Sequence, residues 1–272
     1  MLIRKSSLLV ELLMLFALTS ISRAVTYTAA NVNGSYSALV NAYSGAASEQ
    51  AWLGILNFDG ISAVSGYFTI IDSGNLFVGT ISSGSTYSVS PNGSGSMTLN
   101  LTSNKGTQTG QIAFALNSVS ASIAKSLQLL VINTSANDSH VHAGTANSIN
   151  LSGAATAAKL KGTYSILLNW WTTDTQQGLV GTIKFDGVSK VTLSFTDQLA
   201  EQTATTGTGS GTYSVNSDGS GSISLTLSNG TTMQFDLVMN SIAGTSVAKG
   251  IELLDVTNPS SSSVDTGTAV YE

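Results

Sequence analysis

A short Asp-Ser-His-Val-His segment holds the side chains best suited to binding a metal. Asp138, His140 and His142 alternate, so on a β-strand all three point to one face and offer a carboxylate and two imidazoles. A closed zinc site needs four ligands, and no glutamate or third histidine completes the set. Asp265 stands at the position that corresponds to His142 in the second half of the chain. We therefore expect a solvated edge strand here, and no metal or other cofactor.

Three tryptophans are the second group of candidates. Trp170 and Trp171 are adjacent, so on a strand one of them faces outward, where an indole can stack on a sugar ring. Trp52 is the candidate for the same role in the first half of the chain. Single exposed aromatic residues usually only cover a neighbouring side chain, so packing is the alternative to ligand binding at all three.

Residues for catalysis are scarce. The chain has two histidines, and it lacks a Gly-x-Ser-x-Gly elbow, a P-loop and a dinucleotide-binding glycine pattern. Asp59 and Asp186 both stand in Phe-Asp-Gly, where turn chemistry explains them better than acid catalysis does. We expect a non-catalytic protein. A cyclase or isomerase remains the alternative, because paired carboxylates need not be neighbours in sequence.

Composition and charge limit the partners. Only 9% of residues are charged, the net charge is −5, and both arginines, Arg4 and Arg23, lie near the N-terminus. Nucleic-acid binding depends on basic patches and arginine forks, so a nucleic-acid partner is not expected. The chain has no cysteine, so no disulfide can stabilise it.

Residues 1–24 have the pattern of a secretory signal peptide. Arg4 and Lys5 form the charged start, an apolar run extends over 8–18, and Ala24 ends a small-residue cleavage site. The run is too short to span a bilayer as a helix, and no later apolar stretch is long enough either. We expect a secreted, periplasmic or cell-envelope protein without a transmembrane segment after cleavage.

The rest of the chain is a tandem duplication. Six landmarks recur in one order, with offsets of about 121 to 128 positions. The clearest is a hairpin pattern at 85–99 that returns at 211–225, in which Asn92-Gly93 and Asp218-Gly219 are predicted to supply positive-φ turn residues. The repeats are assigned to residues 25–147 and 159–272, joined by a linker at 148–158.

Each repeat is predicted to form an eight-stranded antiparallel up-and-down β-barrel. The second repeat divides into eight alternating segments joined by turn signals, and a meander of eight such strands can bury one face by closing on itself. The fold class is therefore all-β, with β-sandwiches as the alternative. Because each repeat has a full set of strands, a fragment from Lys159 to Glu272 is expected to fold alone.

The landmark series Gly-x-Tyr-Ser, Gly-x-Ile-x-Phe-Asp-Gly and Gly-Thr-Tyr-Ser-Val-x-x-Asp-Gly-x-Gly resembles a group of uncharacterised secreted bacterial tandem β-barrel proteins. Their barrels are similar to those of the calycin and allene-oxide-cyclase types. The resemblance implies the barrel fold, but the matched residues are turn and core positions and imply no catalytic residue. The Gly-x-Trp signature of lipocalins is missing, since the chain reads Gly34-Ser-Tyr and Gly162-Thr-Tyr there.

Function is therefore predicted only as a class. We expect a non-catalytic binding or cell-envelope interaction module whose partner is a small molecule or a cell-surface glycan. The alternatives are a carrier that holds a small apolar molecule in the barrel interior, a cyclase or isomerase, and an outer-membrane barrel. The last lacks clear aromatic girdles and a terminal aromatic residue. The sequence gives no oligomeric state.

Overall fold

A computed structural model describes the chain over residues 25–43, 50–72, 74–132, 141–149, 154–171, 176–200, 202–240, 247–258 and 264–272. The predicted signal peptide at 1–24 lies outside these residues. Within them the protein is almost entirely β-strand, with two short 3-10 helices. None of these helices is long and apolar enough to cross a membrane.

The first repeat forms a closed antiparallel barrel. Its strands are β1 (Gly34–Tyr43), β2 (Gln50–Phe58), β3 (Val64–Asp72), β4 (Asn75–Ile81), β5 (Thr86–Val89), β6 (Ser94–Ser103), β7 (Gly106–Ser120), β8 (Ile123–Ile132) and β9 (Val141–Ser148). Consecutive strands pair except β4 and β5, which do not pair with each other but both pair with β6, and β9 returns to β1. The short strands β4 and β5 thus share one place in the wall, which has eight strand positions.

The second repeat forms a closed eight-stranded barrel without such an interruption. Its strands are β10 (Lys161–Trp171), β11 (Gln176–Asp186), β12 (Lys190–Leu199), β13 (Thr205–Val215), β14 (Ser220–Leu227), β15 (Thr232–Asn240), β16 (Gly250–Asp255) and β17 (Val264–Tyr271). They pair in sequence order, and β17 closes on β10. The predicted tandem up-and-down barrels are confirmed, and the sandwich alternative is wrong.

The two repeated hairpin turns use one positive-φ residue each, not two. Gly93 and Gly219 have φ of +87° and +96°, whereas Asn92 and Asp218 are not among the residues with positive φ. Asn92 and Asp218 accept hydrogen bonds from the backbone N–H two residues later, at 3.0 and 2.9 Å. The turn is therefore a local side-chain-to-backbone turn followed by a left-handed glycine, because only glycine takes that conformation without strain.

Three sequence landmarks meet at one end of the first barrel and close it. The ring of Phe58 packs edge-on against Tyr36 at 5.5 Å and against Tyr87 at 4.8 Å between centroids. The Tyr36 hydroxyl donates to the Ala124 carbonyl at 2.8 Å, and burial raises the pKa of Tyr36 to about 12. The 3-10 helix Ala29–Val32 packs beside this cluster, where the Tyr87 hydroxyl reaches it. We call this end the closed end.

The second barrel repeats the closed end residue for residue. Phe185 packs edge-on against Tyr164 at 5.5 Å and against Tyr213 at 4.9 Å. The Tyr164 hydroxyl donates to the Ala248 carbonyl at 2.9 Å, and burial raises the pKa of Tyr164. A second 3-10 helix, Ala157–Lys159, accepts a hydrogen bond from Tyr213. The landmark motifs therefore encode the closed end of a barrel.

The outer walls of the two barrels pack against each other through apolar residues. In the first barrel, outward-facing Leu53 and Ile55 of β2 and Ile71 of β3 are buried in one cluster with core residues of the second barrel. In the second barrel, Val238 of β15 and Leu254 of β16 alternate with inward residues and are also fully buried. The sheets close separately, as predicted, but each repeat needs the other to cover this wall.

Two acidic residues take part in the same interface, the buried Glu252 and the partly buried Asp236. Asn147 from the first barrel and Asn240 from the second both donate to Glu252 Oε1, at 2.9 and 3.0 Å. Thr69 of the first barrel donates to Asp236 Oδ2 of the second at 2.6 Å. Burying a polar or charged group destabilises a protein unless the group is paired. These contacts therefore fix how the two walls meet.

The buried carboxyl of Glu252 makes the stability of the protein depend on pH, in a direction that the structure predicts. Glu252 is 2% exposed, and burial raises the pKa of its carboxyl, while the hydrogen bonds from Asn147 and Asn240 oppose the rise. The carboxyl therefore binds its proton more tightly in the folded state than in the unfolded state. As a result, the free energy of unfolding falls as the pH rises from the pKa of the unfolded chain through the higher pKa of the folded protein. Glu252→Gln keeps the acceptor and removes the charge.

We therefore expect the melting temperature of Glu252→Gln, measured relative to the parent protein, to rise between pH 4 and pH 8. Glu272→Gln, at an exposed side chain, is the matched control for the loss of one carboxylate. A difference for Glu252→Gln that did not change with pH would show that this carboxyl is not desolvated.

Candidate functional site

The end of the first barrel opposite the closed end is hollow. It contains a partly open cavity of about 250 Å³ between the inward faces of the strands. Its apolar wall is formed by Val40, Trp52, Ile70, Leu99, Leu101, Ile112 and Val131. We call this cavity, with its opening, the first mouth.

Trp52 forms part of the wall of the first mouth. Its side chain is 8% exposed and belongs to the barrel core. The indole Nε1 has no hydrogen-bond partner among the described residues and is inaccessible to solvent. A Cβ placed on Gly54, the next inward residue of β2, would lie only 2.8 Å from this nitrogen. The N–H edge of the indole therefore packs against the barrel wall beside Gly54, and other ring atoms border the cavity.

Polar residues occupy the rim of the first mouth. Gln50 Nε2 donates to Asp72 Oδ1 at 2.7 Å, and the two residues are directly opposed on β2 and β3. Gln108 and His142 also line the cavity. Sequence reasoning missed Gln50 and Asp72. Their spacing of two from Trp52 and Ile70 places them on the inward face, and that alternation was the available signal.

The second barrel carries a similar pair at the same end. Gln177, which occupies the repeat position of Gln50, donates to both oxygens of Asp197 at 2.7 and 2.8 Å. In the repeat, Asp197 corresponds to Ile70 and not to Asp72. Asp197 therefore lies two residues closer to the closed end along its strand than Asp72 does. Each barrel thus holds a carboxylate with a glutamine at its open end. Leu179 stands where the first barrel has Trp52.

The structure places only some of the residues singled out from the sequence. Asp138 and His140 lie outside the described residues, as do the side chains of Trp170 and Trp171 in β10, so the predictions about them stay predictions. His142 lines the first mouth. The expected solvated edge strand is wrong, because the strand that carries His142 pairs with β1 on one side and β8 on the other.

Trp52 is also placed differently from the expectation. The sugar-stacking hypothesis required an outward, exposed indole, whereas Trp52 points into the barrel. The inward face of β2 contains Trp52, Gly54 and Leu56, and the absence of a side chain at Gly54 leaves the room that the large ring needs. A role for Trp52 in ligand binding stays a prediction, with the cavity as the place for it.

The carboxylates of the two Phe-Asp-Gly motifs stabilise the turns in which they stand. Asp59 Oδ1 accepts from the three backbone N–H groups of residues 61–63 at 2.8, 2.8 and 3.0 Å. Asp186 Oδ1 does the same for residues 188–190 at 2.7, 2.8 and 3.0 Å. These bonds lower the pKa of both carboxyls, since they stabilise the charged form. Both exposed carboxylates are occupied by their own turns, as expected from the sequence.

Fold and site together define a class. The protein is a tandem pair of closed eight-stranded antiparallel β-barrels, sealed at one end by an aromatic cluster and hollow at the open end of the first barrel. The described residues contain no group of three or more His, Cys, Asp or Glu that could hold a metal. No protein-family model matches the chain, and no curated protein matches it either.

Proposed function

We propose that the protein is a non-catalytic binding protein that takes a small, mostly apolar molecule into the first mouth. The observation that supports this most directly is the cavity itself. Eight of the residues that line it are apolar, and a few polar residues lie among them, which is the usual composition of a small-molecule site. Of the hypotheses drawn from the sequence, the carrier that uses the barrel interior agrees best with this arrangement.

The volume sets the size of the ligand. An apolar cavity of about 150 Å³ accommodates benzene, so about 250 Å³ suits one ring with a short substituent. The closed end limits the depth, because Tyr36, Phe58 and Tyr87 fill the barrel there. A long fatty acyl chain would have to leave most of its length outside. Calycin-type ligand binding, export across the membrane and a periplasmic or cell-envelope location belong to the same proposal.

Gly110 offers a way to fill the cavity without disturbing the wall. It lines the first mouth, and a Cβ built on it would have only a Leu101 methyl nearby, at 4.0 Å. Gly178 on the outer face of the second barrel is the matched control, since its nearest neighbours are at 3.9 Å. Gly110→Leu places four carbon atoms in the first mouth, whereas Gly178→Leu places the same atoms outside a barrel.

The test measures toluene binding by ligand-observed NMR to the full chain and to both variants. We expect toluene to bind the parent protein and Gly178→Leu, and to lose all binding to Gly110→Leu. If toluene does not bind the parent protein, or binds Gly110→Leu equally well, the proposal is wrong. If toluene binds as expected, mass spectrometry of organic extracts from the natively produced protein would identify the natural ligand.

A further inference from the structure

The surface that the first barrel uses to pack on the second barrel occurs again in the second barrel. In the first barrel, Leu39 of β1 and Leu53 of β2 are directly opposed on the outer wall and buried against the second barrel. The same repeat positions hold Leu167 of β10 and Val180 of β11, which are opposed in the same way. These two side chains are 47% and 58% exposed. This half of the interface is therefore present a second time, uncovered by any described residue.

The complementary half of the interface is also repeated. The second barrel contributes the outer faces of β15 and β16, where Val238 and Leu254 are fully buried. In the first barrel, Leu130 of β8 occupies the repeat position of Leu254 and is 47% exposed. Ile132, two residues further along the strand, is 45% exposed. Each barrel thus has one wall in the interface and one similar wall that faces solvent.

These two solvent-facing walls contain most of the large apolar side chains that the described residues expose. Five of nine lie there, and the other four are scattered over the N-terminal end, two turns and β4. Scattered apolar residues are ordinary on a protein surface, whereas grouped ones mark interaction sites. We call Leu167, Val180 and Val270 the free wall of the second barrel, and Leu130 and Ile132 the free wall of the first barrel.

The free walls can be buried without burying a charge. The residues that pair with their five apolar side chains across neighbouring strands are all uncharged. Gln128 stands at the repeat position of the buried Glu252, and Val270 at that of Asn147, which binds Glu252 across the internal interface. A contact between the free walls therefore relies on apolar burial and lacks those polar bonds, so it should be weaker than the internal one.

We infer that the protein associates head-to-tail with further copies of itself, the free wall of the second barrel in one copy packing on the free wall of the first barrel in the next. This contact repeats the internal interface between chains. Because it joins two different surfaces, it leaves one free wall at each end and can continue.

The arrangement of the strands allows such a chain of barrels. In each barrel the centres of the two walls are three strand positions apart out of eight, which is more than a third of a turn. A barrel can therefore carry a neighbour of its own width on both walls. The walls lie on the sides of the barrels and leave the first mouth open, so the inference goes beyond the proposed function and does not depend on it.

Two substitutions block opposite walls. Val180→Lys places a charge on the free wall of the second barrel, and Leu130→Lys places one on the free wall of the first. Val188→Lys is the matched control, because Val188 is 71% exposed and lies between β11 and β12, outside both walls. Exposed positions tolerate such changes, so all three variants should melt within a few degrees of the parent protein. Val180→Thr and Leu130→Gln form a second, uncharged pair if a lysine variant melts lower.

Sedimentation velocity of the purified protein from about 10 μM to 1 mM measures the association. We expect the average mass of the parent protein and of Val188→Lys to rise beyond that of a dimer. Val180→Lys and Leu130→Lys should each associate at least about tenfold more weakly. An equimolar mixture of these two variants should form dimers and nothing larger, because each retains the wall that the other lacks.

The mixture and the single variants make the inference easy to refute. A parent protein that stays monomeric at about 1 mM would overturn it. So would a mixture that stays monomeric, or association lost in only one of the two lysine variants, since the latter would mean that one wall packs on its own copy. Association that neither substitution weakens would involve another surface and would also overturn the inference.

Discussion

Replacing Leu53 by alanine is expected to lower the free energy of unfolding by about 2–5 kcal/mol, although Leu53 points away from the core of its own barrel. Its side chain is 0% exposed, because it is packed against the second barrel. Truncation leaves a cavity between two walls that are held in place by their own sheets and by the bonds to Glu252 and Asp236. Urea denaturation of the full chain, followed by circular dichroism, measures the loss.

The duplication supplies a matched control for this prediction. Val180 occupies the same repeat position in the second barrel and also points outward, but it is 58% exposed. Val180→Ala should change the free energy of unfolding by less than about 1 kcal/mol, since surface substitutions rarely have larger effects. If Leu53→Ala were as mild as Val180→Ala, the two barrels would not share the interface described above.

Truncating the central aromatic ring of either closed end is expected to cost about 3–5 kcal/mol. Phe58 and Phe185 are almost fully buried, and each contacts two tyrosine rings edge-on, which adds about 0.5–1.5 kcal/mol per pair beyond burial. Phe58→Ala and Phe185→Ala should therefore be similar in effect. Val188→Ala, three residues beyond Phe185 and 71% exposed, should be almost neutral.

Calorimetry of the three variants tests this expectation. Similar losses of melting temperature for Phe58→Ala and Phe185→Ala would show that the landmark motif performs the same structural task in both repeats. A loss confined to one of them would mean that the two closed ends are not energetically equivalent.

The barrels could be predicted from sequence because their determinants are local. Alternation of apolar and polar residues sets the face of each strand, and turn residues such as Gly219 mark its ends. All eight strands expected in the second repeat are present. At the β12–β13 connection the first strand extends to Leu199 and the next begins at Thr205.

The interface and the cavity could not be predicted in the same way. Leu53 and Val180 look alike in the alternation, and nothing local distinguishes an outward residue that meets the other barrel from one that meets water. The cavity depends on how far inward side chains from six or more strands reach toward the barrel axis. Gly110 and Trp52 lie nearly sixty residues apart, so their joint effect on the open end appears only in three dimensions.

Because each sheet closes on itself, the pairing of its first strand with its last strand must come late in folding. In the first barrel Tyr36 pairs with Ser148, and in the second Tyr164 pairs with Tyr271, so the last bonds to form join the ends of each repeat. Such distant pairings make folding slow, whereas the hairpins between them form within microseconds. During synthesis the first barrel can close well before the final strand Val264–Tyr271 emerges from the ribosome. Until then its apolar outer wall, with Leu53 and Ile71, has no second barrel to cover it, so we expect the nascent protein to be prone to aggregation during this interval.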